Sequence, residues 1–387
     1  MSEFFTIQKK DTHSRARAGV IHTLHGDLET PCLMTVGTKA TVKTLTSEDL
    51  KKIGVGCVLC NTYHLHLYPG EDLVFKMGGL HNFMRWDGPM FTDSGGFQVF
   101  SMGHGTVADE IKSSEKRHSR SRVLKISEEG VRFQSYLDGS HKMLTPESSI
   151  QIQYKLGADM IAVFDECTPF HVDKNYTRQS MEMTHRWLDR CIAEHKKLQS
   201  SQALYGIIQG GVYEDLRTIS TDFIEQSNTP GICIGGSLGK DKPQMYEVVD
   251  MVMQRLSPEK PVHLLGIGDL DDLIAGVKRG VDTFDCVTPT RNARHGLLFC
   301  SEHPDKKIRI TNAPFREDQR PIDAKCTCEV CKNYSRAYIH YLFRANEFLS
   351  IRLATYHNVY FIQNFMKEMR QAILEDRLDG FEEKWGK

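Results

Sequence analysis

The middle of the chain repeats one unit, and this limits the possible folds more than any other feature: a short apolar run, a polar or glycine-rich tip, then an amphipathic helix. Residues 146–156 read as a helix, and 160–164 as a strand ending in Asp165-Glu166-Cys167-Thr168-Pro169. Residues 174–197 read as a long helix with a stripe of Met181, Thr184, Leu188, Cys191, Ile192 and His195. The pattern recurs as a strand at 204–208 with Gln209-Gly210-Gly211, a strand at 231–234 with Gly235-Gly236-Ser237, and a strand at 262–265 with Gly266-Ile267-Gly268-Asp269. Each is followed by a helical stretch. Strand, polar tip, helix, strand is how parallel β/α units are written.

The tips carry chemistry at one common end: Asn61, Asp93, Asp165, Gln209, Gly236 and Asp285. That distribution predicts a closed (β/α)8 TIM barrel, whose reactive groups gather at the C-terminal ends of many strands. A doubly wound open sheet would concentrate binding at one crossover, and no Gly-x-Gly-x-x-Gly or phosphate-loop motif follows a strand here. The 387 residues are enough for one large barrel. A net charge of -1 neither announces nor excludes a nucleic-acid partner, because the footprint of such a partner can be local. Eleven cysteines, an odd number partly placed in apolar runs, favour a reducing compartment. With no apolar leader core at residues 1–10 and no membrane-length run, the expectation is a cytoplasmic protein without a membrane span.

Residues 281–287 read as a buried strand that carries two aspartates. Pro289 then ends the ladder ahead of Arg291, Arg294 and His295. A carboxylate at a strand end beside two guanidiniums suits an anion-bearing substrate, while the plainer reading has Asp285 capping a loop or pairing with an arginine. At 90–98 a short strand delivers Asp93 and Ser94 into Gly95-Gly96, where the backbone can approach a flat ligand. Residues 15–45 suggest hairpins or short strands, and 131–136 with the turn at Asp138-Gly139-Ser140 suggest another hairpin. Between them Lys112, Lys116, Arg117, His118, Arg120, Arg122 and Lys125 form a basic run, either a solvated face or a phosphate contact.

Farther along, Cys326, Cys328 and Cys331 sit in a polar turn, and His357 follows a helical segment at about 337–348. Three thiols and an imidazole close a tetrahedral structural zinc shell, whereas a catalytic zinc keeps a position open. His340 is the rival ligand, but it lies inside that helical segment, while His357 is placed near the start of the last helix.

Taken together, Asn61-Thr62-Tyr63-His64-Leu65, Asp93-Ser94-Gly95-Gly96-Phe97-Gln98, Phe164-Asp165-Glu166-Cys167, Gln209-Gly210-Gly211, residues 284–291 and the Cys326, Cys328, Cys331, His357 set resemble the bacterial-type tRNA-guanine transglycosylases, also called queuine tRNA-ribosyltransferases. The resemblance covers nearly the whole chain. It implies a (β/α)8 barrel over residues 1–315, and a zinc-binding subdomain with C-terminal helices, one of which can complete the barrel, over 316–387. It also implies a homodimer with one structural Zn2+ per subunit. The implied reaction exchanges guanine at wobble position 34 of tRNAs with a GUN anticodon for a free 7-deazaguanine base, queuine or preQ1. Asp285 then looks like the nucleophile at the ribose C1′, and Asp93 like the general acid/base. Asp165, Gln209 and Gly236 look like the base-recognition set, with Phe97 stacking on the base where a tyrosine is usual. Arg291 and Arg294 are the candidate tRNA contacts.

This sequence also departs from the family pattern. After Gly235-Gly236 the loop is one residue shorter than in many bacterial members and reads Ser237-Leu238-Gly239-Lys240, and His263 replaces a usual tyrosine. A short Ser237 and a shorter loop leave room for the larger base, queuine. Lys240 would also disfavour the protonated aminomethyl group of preQ1 if its ammonium faced inward. Two other classes compete with this assignment. A zinc-dependent barrel hydrolase would place its ligands at strand tips, and a noncatalytic tRNA-binding subunit would dispense with the carboxylates.

Overall fold

The computed structural model describes residues 4–104, 123–170 and 172–385. Eight parallel strands close into a barrel in chain order: Cys32–Val36, Val58–Cys60, Met90–Thr92, Met160–Ala162, Ala203–Ile208, Gly231–Ile234, Val262–Leu264 and Thr283–Cys286. The last strand pairs with the first, in register Phe284 with Leu33 and Asp285 with Met34. Helices follow as the tips predicted. Pro146–Leu156 starts behind a Thr145–Ser148 capping box, and Lys174–Lys197 starts at an Asp173 cap. Met181, Thr184, Leu188 and Cys191 of the expected stripe are buried, with Ile192 and His195 at its edge.

Strand ends are shorter than hydrophobicity alone suggests. Residues 163–166 stay buried beyond the last paired strand residue: Val163 N–H still reaches Tyr205 O at 3.0 Å, but Phe164 N–H meets Cys191 Sγ at 3.4 Å and Glu166 N–H meets Thr184 Oγ1 at 3.1 Å on the following helix. This frees Asp165 to face the barrel mouth rather than a neighbouring strand.

The opposite end of the barrel is closed by an antiparallel sheet of Phe5–Lys10, Arg17–Thr23 and Gly26–Thr30. Arg17 forks onto Asp282 at 2.8 and 2.6 Å, both side chains being almost fully buried. The two aspartates of the last strand therefore divide their work: Asp282 takes the arginine at the base, and among the described residues no arginine pairs with Asp285 at the mouth. A second hairpin, Gly130–Gln134 with His141–Leu144, joins Val123–Ser127 beside the mouth.

The helical segment expected at 337–348 ends sooner, as Arg336–Arg344, because Asn346 turns left-handed (φ 57°) ahead of a 27-residue helix, Phe348–Leu374. His357 therefore lies in the third turn of that helix rather than near its start. The same helix packs on the first barrel strand, where Gln363 Nε2 donates to Leu33 O at 2.8 Å. Among the described residues no helix is long and apolar enough to cross a membrane.

Candidate active site

Asp285 stands on the last barrel strand, two residues past Thr283, so both side chains share one face. Its Oδ1 accepts from Gly266 N at 2.9 Å and contacts His263 Nε2 at 3.2 Å, and its side chain is 16 % exposed. His263 is fully buried, stacks on Phe91 with ring centroids 5.2 Å apart, and reaches Thr283 Oγ1 through Nδ1 at 2.9 Å.

Asp93 follows the third strand and is held by Asn61, one of the polar strand tips noted in the sequence, and by Thr62. Thr62 N donates to its Oδ1 at 2.9 Å, and Asn61 Nδ2 donates to Oδ2. Asn61 also caps the helix Thr62–Leu67 through His64 N at 3.0 Å, so one side chain ties a helix start to a carboxylate. The position of Asn61 directly after an apolar strand was the available signal. Burial pushes the Asp93 carboxyl up to about 7, the nearby Asp285 charge adding to the rise against the lowering effect of Thr62 and Asn61.

Asp165 and Gln209 meet on the mouth floor. Gln209 Nε2 donates to Asp165 Oδ2 at 2.6 Å, and Ser94 Oγ donates to Oδ1 at 3.2 Å. Burial raises the Asp165 carboxyl to about 6. Among the described residues, Gln209 Oε1 is buried without a hydrogen-bond partner. Gly236 lies against that amide: at φ 77°, a side chain there would meet Gln209 Oε1 at 2.3 Å. Gly96 is equally confined, since a Cβ would meet Asp165 O at 2.7 Å. Next to it, Phe97 presents an exposed ring at the start of the helix Gly96–His104. Arg217, a buried residue that the sequence reading missed, binds the strand tips together. It donates to Ile208 O, Gly211 O and Ser237 O at 3.1, 2.7 and 3.2 Å. It lies on the helix Glu214–Gln226, and nothing in its sequence context distinguishes a buried arginine from a solvated one.

Arg291 and Arg294 ride on Thr288–Arg294, the short helix after the Asp285 strand, with Arg291 exposed and Arg294 partly so. They join two lysines missed in the sequence, Lys39 and Lys43. Partial burial, then the charges of Arg294, Lys39 and Arg291, holds the Lys43 ammonium below its usual range. Four cations of one sign thus share one side of the mouth. Of the basic run, only Lys125 falls among the described residues, exposed on the strand Val123–Ser127; the others lie outside them.

The predicted metal ligands come together away from the strand tips. Cys326, Cys328 and Cys331 Sγ lie 3.8, 3.6 and 3.3 Å from His357 Nδ1. Ligands around one tetrahedral zinc would sit about 3.5 Å apart. His357 Nε2 donates to Phe299 O at 2.8 Å, which leaves Nδ1 as the coordinating nitrogen. His340 is excluded from the cluster and donates to Ile310 O at 2.8 Å. A second group, His25, His81 and Asp159, lies at the barrel base. Its geometry is that of a hydrogen-bonded clasp, Asp159 meeting His25 Nδ1 at 2.6 Å, His81 Nε2 at 3.3 Å and Met90 N at 2.9 Å.

Residues 11–387 match the family model described as queuine tRNA-ribosyltransferase. A queuine tRNA-ribosyltransferase of Roseiflexus sp. (strain RS-1) is 48% identical, the match covering 100% of this chain and 99% of that one. One from Desulforamulus reducens is 50% identical over 96% and 95% of the two chains. One from Fusobacterium nucleatum subsp. nucleatum is 45% identical over 98% and 97%. With a closed barrel, a Cys3His cluster and a full-length match in agreement, the chain belongs to the queuine tRNA-ribosyltransferase family.

Proposed function

We propose that this protein is a tRNA-guanine transglycosylase, a cytoplasmic pentosyltransferase that exchanges guanine 34 of GUN-anticodon tRNAs for queuine or preQ1. The observation that carries this reading is the presence of Asp93, Asp165 and Asp285 at three strand ends of one mouth, with the Asp285 charge acting on Asp93. Base exchange needs two displacements, because one purine must leave before the other uses the site. Asp285 attacks C1′ as guanine departs, and the ribosyl ester then waits for the incoming base. Asp165 accepts the purine N–H groups, Gln209 offers both an acceptor and a donor, the Gly236 backbone meets the purine carbonyl, and Phe97 covers the ring face. Arg291 and Arg294, with Lys39 and Lys43, contact the anticodon backbone. Incubation with labelled guanine and a GUN tRNA tests the reading: label should enter that tRNA and not one whose anticodon lacks G34. No incorporation would reject it.

Cys326, Cys328, Cys331 and His357 would hold one structural Zn2+ per chain, supplying folding energy to the C-terminal part and no bond chemistry. A division near residue 315 places these ligands outside the barrel, with helix Phe348–Leu374 shared by both parts. Homodimer formation is supported by exposed aromatic side chains on the helices Arg336–Arg344 and Phe348–Leu374, where Tyr341 is 59% and Phe348 87% exposed.

Asp93 delivers a proton to departing guanine and takes one from the incoming base. With its carboxyl raised to about 7, it is mostly protonated at pH 6 and mostly ionised at pH 8. The rate of adduct formation should therefore fall by about tenfold per pH unit above about 7. Asp93→Asn should lower turnover by about 10²- to 10³-fold and flatten that limb while still capturing tRNA. Undiminished turnover in the variant would remove Asp93 from the mechanism.

The incoming base follows from the loop after Gly236. Ser237 is partly buried and held by Arg217 through its carbonyl, while Lys240 is exposed, its backbone N–H bonded to Gln244 Oε1 at 3.0 Å. The lysine charge therefore carries no part of the selection; the small Ser237 side chain and the shortened loop do. Queuine is expected to be used at least as efficiently as preQ1, and Lys240→Glu should leave the kcat/KM ratio within about twofold. Strong wild-type preference for preQ1 in competition on one unmodified tRNA would contradict this.

A further inference from the structure

We propose that His263 is a positioning residue for Asp285: its Nε2–H and the Gly266 N–H together hold Oδ1 and leave Oδ2 as the attacking oxygen. The proposal rests on the reading of Asp285 as nucleophile. Both contacts fall on the same carboxylate oxygen, at 3.2 Å from His263 and 2.9 Å from Gly266. A carboxylate can only accept, so the proton facing it belongs to Nε2; in the neutral ring Nδ1 then accepts from Thr283 Oγ1, 2.9 Å away. The ring cannot turn freely, since it is fully buried and stacked on Phe91. Thr283 and Asp285 alternate onto one face of the same strand, so a single imidazole on the adjacent strand spans both and fixes the χ angles of the nucleophile.

The covalent steps show what this arrangement does. A lone pair of Oδ2 forms the bond to C1′ as the C1′–N9 pair leaves with guanine, which takes up one proton. In the ester, Oδ1 is the carbonyl oxygen and still accepts from His263 and Gly266. The incoming base loses one proton, its ring nitrogen bonds C1′, and the ester pair returns to Oδ2. As charge returns to the carboxylate, the two fixed donors are already in place to stabilise it. His263 thus speeds the second displacement as well as aligning the first, without touching the substrate.

Glutamine and methionine are unbranched and similar in volume, but only glutamine can present an N–H where Nε2 stands. His263→Met should lower kcat for exchange by about 10- to 100-fold with KM for tRNA within about twofold. His263→Gln should stay within about fivefold of wild-type kcat. Rates are normalised to the protein that binds tRNA, so a loss through misfolding does not enter the comparison. A methionine variant at wild-type kcat, or a glutamine variant as slow as methionine, would overturn the proposal. Asp285→Ala is measured alongside. If it retains exchange, the nucleophile assignment fails and His263 falls with it; if it is inactive while His263→Met is fully active, only the role of His263 is lost.

Discussion

Asp285→Ala is expected to abolish base exchange, lowering it by about 10⁴-fold or more, while zinc content, thermal stability and tRNA affinity change little. On the proposed assignment the substitution removes the atom that bonds C1′ and so leaves no route through a two-displacement reaction. Stability is spared because the carboxylate supports no buried ion pair. It accepts two hydrogen bonds at the open mouth, whereas the arginine that braces the strand goes to Asp282 at the other end. Its 16 % exposure also allows water to serve the Gly266 and His263 donors once the carboxylate is gone. The proposed tRNA contacts, Arg291, Arg294, Lys39 and Lys43, are left in place by the variant. Exchange close to the wild-type rate would exclude Asp285 as nucleophile, and a variant that fails to bind tRNA would show that the carboxylate shapes the mouth.

Cys328→Ala carries the second large effect, on folding rather than on bond chemistry. The Cys328 side chain is 1% exposed, stands 3.6 Å from His357 Nδ1, and caps the helix Glu329–Asn333 by accepting from Cys331 N at 3.3 Å. Its loss removes a ligand and a cap together. Zinc content should fall well below one ion per chain, and the C-terminal part should lose about 3 kcal/mol or more. The damage reaches the barrel, because His357 belongs to the helix that packs on the strand Cys32–Val36 through Gln363. Elemental analysis finding equal zinc in the variant would reject Cys328 as a ligand. Loss of zinc with full, heat-stable exchange would show that the cluster is dispensable for the fold.

The barrel was legible because its signal is local and repeated: its later strands announce themselves by an apolar run and their tips by polar or glycine residues, whereas the first, Cys32–Val36, was read only within the hairpins or short strands at 15–45. The metal-binding cluster was legible because three of its residues are cysteines lying in one polar turn rather than in an apolar strand. What escaped were residues whose role exists only across strands. Nothing around His263 in the sequence shows that its ring spans Thr283 and Asp285. Nothing on the helix Glu214–Gln226 marks Arg217 as the buried donor to three carbonyls, which only the fold brings to it. Lys39 and Lys43 are separated from Arg291 and Arg294 by most of the chain, and only pairing of the first and last strands joins them. Strand ends were overextended for a related reason. Val163 and Phe164 are as apolar and buried as a strand, but past Val163, whose N–H still reaches Tyr205 O, the backbone N–H groups of Phe164 and Glu166 go to the helix behind.

Capture of the intermediate tests the central claim most directly. Wild-type protein is mixed with a GUN tRNA in the absence of free base, denatured, and digested, and the peptide carrying the ribosyl adduct is sequenced by mass. A denaturation-resistant protein–tRNA species is expected, with the adduct on Asp285 and the tRNA lacking guanine at position 34, and addition of queuine before denaturation should discharge it. An adduct on Asp93 or Asp165, or exchange proceeding with no covalent species at any time, would contradict the account.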